Sequence, residues 1–167
     1  MPMKDKIGIY LLFFLVLGTY VAGCAPRLVS TSTLGAIDSK KRLLIAMQKS
    51  EFKEAVVNNV VAGLEKERIF IEIIDVSNLL TQKADDYNAI LVVNNYRYFR
   101  INRDVSDFFK RAEQPVKEKI VLLTTAGNPG RVDEGLGVDA ISSASEMESV
   151  QDVSDSIVQK VNALLWN

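Results

Sequence analysis

Four short, nearly continuous apolar runs constrain this chain more than any other feature. They are Leu43-Leu44-Ile45-Ala46-Met47, Ile69 to Ile74 (broken only by Glu72), Ala89 to Val93, and Ile120 to Thr125. An amphipathic strand with one wet face alternates apolar and polar residues. A continuous run is the mark of a strand covered on both faces, as in a parallel sheet. Between the runs, apolar residues recur at helical spacing. Phe52, Val56, Val60 and Leu64 share one face after Ser50, which is placed to cap the helix. Ile101, Val105, Phe108 and Ala112 mark a second helix, and Val150, Val153, Ile157, Val161 and Leu164 a third. Gly137 to Ile141 reads as a short fifth strand. The alternation predicts an α/β fold with a parallel five-stranded sheet between helices, and right-handed crossovers leave few topologies.

Composition narrows the chemistry. Histidine is absent and Cys24 is the only cysteine among 167 residues. Ser-His-Asp and Cys-His catalysis, disulfides and thiolate metal sites are therefore excluded. A hydrolase would rest on carboxylates, serine or lysine alone. Asp85-Asp86 and Asp152/Asp155 read as loop and helix-surface charges, and no catalytic residue is assigned. The formal charge of −1 offers no electrostatic case for nucleic acid.

The amino terminus has the layout of an export signal: Lys4 and Lys6, an apolar stretch from Ile7 to Tyr20, then Val21-Ala22-Gly23-Cys24. The apolar stretch is shorter than the 20 or so residues of a membrane-spanning helix. Val21 to Cys24 resembles the lipobox of bacterial lipoproteins. That resemblance implies cleavage before Cys24, a diacylglycerol and further acyl chains such as palmitate on Cys24, and an envelope protein facing outside the cytoplasm. Several acyl chains hold firmly where one does not. Ala25, rather than aspartate, follows the lipid site, so outer-membrane delivery is the expectation in a double-membrane organism. Residues 1–23 are thus a signal peptide. Residues 24–40, with Pro26, Gly35 and the Ser30-Thr31-Ser32-Thr33 cluster, are read as a flexible tether. Residues 41–167 form the domain.

Within that domain three segments resemble the flavodoxin-like family. Lys41 to Leu64 is a strand, a polar turn and a helix. Asp86 to Tyr96, continuing to Phe109, is similar to the family's Tyr-Asp-Ala-Ile-Ile-Leu-Gly-Ser-Pro-Val-Tyr stretch. Lys119 to Gly127 is similar to its fourth strand and following Thr-x-Gly. The resemblance implies strand order 2-1-3-4-5 and a ligand at the strand carboxyl ends. It nominates Gln48, Lys49 and Ser50 after the first strand, and Asn94, Asn95, Tyr96 and Tyr98 after the third. It also nominates Thr125 and Gly127 after the fourth, with Ser142 and Ser145 after the fifth. In the family the first turn is rich in Ser, Thr and Gly and cradles the FMN phosphate. Here it reads Gln48-Lys49-Ser50-Glu51-Phe52, without glycine and with an opposing carboxylate. Asp139 to Ser145 also resembles Asp-x-x-(Ser/Thr)-Gly-Ala-(Thr/Ser), a motif of extracytoplasmic proteins that carry FMN on its last hydroxyl. The same stretch, Ser145-Glu146-Met147-Glu148, also reads as a capping box for the last helix.

Three functions follow as alternatives. One is a tethered module with a degenerate flavin site that takes another small ligand or an envelope protein. Another is an FMN redox protein, non-covalent or flavinylated at Ser145. The third is a ligand-free envelope scaffold.

Overall fold

A computed structural model describes residues 28–97, 100–127 and 137–166. Seven strands form one sheet. In chain order they and their partners are β1 (Ser32–Gly35), β2 (Arg42–Met47), α1 (Glu51–Leu64), β3 (Phe70–Asp75), β4 (Ala89–Arg97), the two-residue β5 (Arg100–Ile101), α2 (Arg103–Arg111), the single turn α3 (Gln114–Lys117), β6 (Ile120–Thr125), β7 (Asp139–Ser143) and α4 (Val150–Trp166). The sheet order is β1-β3-β2-β4-β6-β7, with β5 pairing only with the far end of β4. Strands β2, β3, β4, β6 and β7 are mutually parallel. Taken alone, they stand in the expected order 2-1-3-4-5.

The continuous runs are buried on both faces. Ile45, Leu91, Val93, Val121 and Leu123 are fully inaccessible and face α1 and α4. Leu44, Ala46, Ile90, Val92 and Leu122 point the other way, onto α2 and the 3-10 turns at Val76–Thr81 and Ala84–Asp86. Those turns occupy a connection too short for a long helix. Ser50 caps α1 as expected, its hydroxyl accepting from the Lys53 amide at 3.3 Å.

Four expectations change. The segment read as a flexible tether contains β1, which pairs antiparallel with β3 from Ser32↔Ile73 to Gly35↔Phe70. All four of its residues are exposed. A solvent-facing edge strand has no buried face, so it leaves no apolar pattern to read. Strand β4 runs four residues past Val93, making Asn94, Asn95 and Tyr96 strand rather than loop. The inner stripe of α4 closes on Leu165, not Leu164, continuing the i+4 series of Ile157 and Val161.

The capping box at Ser145 is not formed. A 3-10 turn, Met147–Ser149, precedes α4; its N-cap is Glu146, without a side-chain bond. The local hydroxyl bond comes instead from Ser149, which donates to the Glu146 carbonyl at 2.8 Å.

Candidate functional site

Parallel strands present all their carboxyl ends at one edge, together with the amino termini of the helices that follow. There, between β4, β6 and the turn after β7, lies an open cleft of about 410 Å³. Asn95, Tyr96, Thr125, Gly127 and Ser145 line it, joined by Arg97 and Glu146. Alternation along the strands selects Asn95 and Thr125, whereas Tyr96 lines the cleft from the overhanging end of β4. Asn95 pairs in register with Thr125, and both side chains point to the α1/α4 face.

Beneath that cleft is a residue the sequence analysis missed. Lys53, in the first turn of α1, has no solvent-accessible surface. Its ammonium donates to Asn95 Oδ1. Thr125 Oγ1 lies 2.9 Å from the same oxygen. The Asn95 amide donates to Gln48 Oε1 at 2.9 Å, while the Gln48 amide donates to the Val93 carbonyl at 3.1 Å. One network thus stitches the β2–α1 connection to β4 and β6. Burial lowers the Lys53 pKa to about 8, and the positive charge of Arg97 adds to the effect. A signal did exist in the sequence. Position 53 falls on the same helical stripe as Val56, Val57, Val60 and Leu64, so its side chain had to point inward.

The remaining nominated residues divide. Lys49 is turned to Glu54, 3.4 Å away, and is part-exposed. The Ser50 hydroxyl is committed to the helix cap. Asn94 faces away from the cleft: it is fully buried on the α2 side, and its Oδ1 accepts from the Asn102 amide at 3.2 Å. Its Nδ2 and the Thr124 hydroxyl beside it have no partner among the described residues. Ser142 pairs in register with Thr124 and so shares that opposite face. Ser145 is exposed on the cleft rim. Tyr98 and Cys24 lie outside the described residues.

Chemically, the cleft offers hydrogen-bond donors and the Glu146 carboxylate over a buried amine. Among the described residues no cluster of carboxylates and cysteine is placed to hold a metal ion. A second cleft of about 420 Å³, near Leu80, Asp85, Phe108 and Arg111, involves none of the nominated residues.

No protein-family model matches this chain. No curated protein matches it either. Solved structures do resemble it. A flavodoxin from the domain Archaea superposes with a TM-score of 0.51 at 10% identity, covering 74% of this chain and 98% of its own. An oxidoreductase from Corynebacterium diphtheriae gives 0.51 at 13% identity, covering 76% and 98%. The apo form of an NADH:FMN oxidoreductase gives 0.53 at 13% identity, covering 75% and 88%. At such identities the likeness concerns the fold. With the parallel order 2-1-3-4-5 and helices on both faces, the architecture is flavodoxin-like.

Proposed function

We propose that this chain is a membrane-tethered extracytoplasmic lipoprotein whose flavodoxin-like domain takes a small ligand or an envelope partner other than FMN. The observation that carries the reading is the Gln48–Asn95–Lys53 bridge between the β2–α1 connection and β4. A phosphate dianion needs several free backbone amides and small residues at a helix start. Here the connection between Met47 and Glu51 is three residues long and has no glycine. Its serine already serves the Lys53 amide, its glutamine crosses to Asn95, and Glu51 brings a carboxylate to the first turn. These residues do not fit the FMN phosphate.

The lipid anchor rests on Val21-Ala22-Gly23-Cys24 after the apolar run. Metabolic labelling with a fatty acid tests it. Wild-type protein should carry label, and Cys24→Ala should accumulate as unlabelled precursor. Unlabelled, normally localised wild-type protein would overturn the anchor.

A second reading, an FMN redox protein, is favoured by two observations. The similar structures include a flavodoxin and an FMN oxidoreductase. Ser145, the last position of the covalent-flavin resemblance, stands exposed at the cleft. The visible spectrum of the exported full-length protein separates the readings. Colourless protein supports the first. Colour released on denaturation establishes non-covalent flavin. Fluorescence that survives a denaturing gel and vanishes in Ser145→Ala establishes the covalent form.

A further inference from the structure

The described chain enters the fold at the same end of the sheet as the cleft. The Val29 amide donates to Asp75 Oδ2 at 3.1 Å, and Asp75 is the carboxyl-terminal residue of β3, paired with Met47. From there β1 runs downward, antiparallel to β3. Cys24 precedes Val29 by five residues, and extended chain spans at most about 3.6 Å per residue. A lipidated Cys24 therefore sits within roughly 18 Å of the strand carboxyl ends. The strand amino ends are farther by the length of β3, about 3.3 Å for each of its residues. Had residues 24–40 been free, the leash would have left every face of the domain equally able to meet the membrane. Docking of β1 removes that freedom.

The same end carries a basic projection. Strand β4 overhangs its neighbours: its last partner on β6 is Asn95, and Arg97 stands two residues beyond, roughly 7 Å at the usual strand rise. Arg97 pairs directly with Arg100 across the β4–β5 hairpin. Both are exposed, and neither has an ion-pair partner among the described residues. Like charges directly opposite in a strand pair repel. A surface of negative charge relieves that repulsion and attracts both side chains. Leu28, 63% exposed where the described chain begins, adds apolar surface at the same end.

Building on the lipid anchor proposed above, we infer that the strand carboxyl ends face the bilayer that holds Cys24, and that Arg97 and Arg100 dock there on anionic lipid headgroups. The competing face is the opposite end, where Trp166 and Ile37 are exposed. That end is basic as well, through Lys40, Lys41 and Lys66, so the reach of the chain is what favours the arginine end.

The test uses full-length protein reconstituted in vesicles of equimolar phosphatidylglycerol and phosphatidylcholine containing a lipid-borne quencher. One variant, Ser145→Cys, takes a maleimide fluorophore at the cleft rim. Another, Glu67→Cys, takes it beyond the end of α1, at the strand amino ends. Acylation blocks Cys24 to the maleimide, and fatty-acid label on the same sample reports it directly. The expected result is strong quenching at position 145 and little at position 67. Adding Arg97→Gln and Arg100→Gln should lower the docked population on the order of tenfold, as two basic residues near a charged surface imply. Equal or reversed quenching in acylated protein overturns the inference and leaves the anchor standing. Retained quenching at position 145 in the doubly neutralised protein overturns the role of the arginines. Absence of acylation overturns the anchor and the inference with it.

Discussion

The Lys53 ammonium donates to the Asn95 side-chain oxygen from a position without solvent access, joining the first turn of α1 to the overhanging strand β4. The bond satisfies one of three ammonium protons, and the positive charge of Arg97 opposes it. The charge is therefore a cost to folding, retained where the two loops meet.

Replacing it should show that cost. Lys53→Met conserves volume and removes the buried charge, so the unfolding free energy at neutral pH should rise by about 1–3 kcal/mol. The pH dependence has a definite sign. A lysine lowered to about 8 in the folded state binds fewer protons than the unfolded chain between that value and its ordinary 10.5. Stability contributed by this group is thus lowest below about pH 8 and increases as pH rises, by on the order of 3 kcal/mol across the full window. Urea midpoints from about pH 7 to about pH 9 stay largely below the unfolded-state titration of tyrosine. Wild type should gain stability over that range and Lys53→Met should not. A flat wild-type profile would refute the burial of a charged amine.

Ser50 and Ser145 should separate in a denaturation experiment. Ser50→Ala removes the hydroxyl that caps α1 and should lower stability by about 1 kcal/mol. Ser145→Ala should change it by less than about 0.5 kcal/mol, since an exposed hydroxyl that caps no helix contributes little. Equal losses would restore the capping role of Ser145.

Flavin discrimination offers a sharper probe than colour alone. FMN and riboflavin differ by the phosphate, and each charge-assisted hydrogen bond contributes about 1.5–3 kcal/mol. A working cradle separates the two by orders of magnitude. With Gln48 and Ser50 already bonded within the protein, fluorescence titration should find affinities within roughly tenfold of each other. A strong preference for FMN would return the site to the flavodoxin reading.

Gly35 should be intolerant. Its φ is +80°, and a Cβ there would lie 2.0 Å from the Ile69 carbonyl oxygen. Gly35→Ala should destabilise by about 1–3 kcal/mol through backbone strain and a contact that only backbone movement relieves. Amide exchange should then accelerate along β1 before it does in β4 or β6. Leu91→Ala, in the central strand, should cost about 2–5 kcal/mol and unfold the domain globally.

The parallel core was legible because two-sided burial writes continuous apolar runs, and Leu43 to Met47 and Ile120 to Leu123 are too short for a helix of ordinary length. Strand β1 was not, because all its side chains face solvent and its stability comes from backbone pairing with β3. At the site, Asn95, Tyr96, Thr125, Gly127 and Ser145 were legible as residues near strand carboxyl ends, since topology alone brings those ends together, although Asn95 and Tyr96 belong to β4 and Thr125 closes β6. Asn94 was misassigned by one step of the pleat: it continues the strand and turns to the other face. Lys53 was missed because charge suggested surface, whereas its helical phase put it inside.

Strand β1 also has a mechanical meaning. A pull on the chain ahead of Leu28, directed along the strands and away from the sheet, runs parallel to β1 and not across it. The antiparallel bonds from Ser32 to Gly35 then share the load in shear, and none is peeled open ahead of the rest. A short, fully exposed strand can in this way act as a force-bearing clasp between the domain and whatever holds its amino terminus.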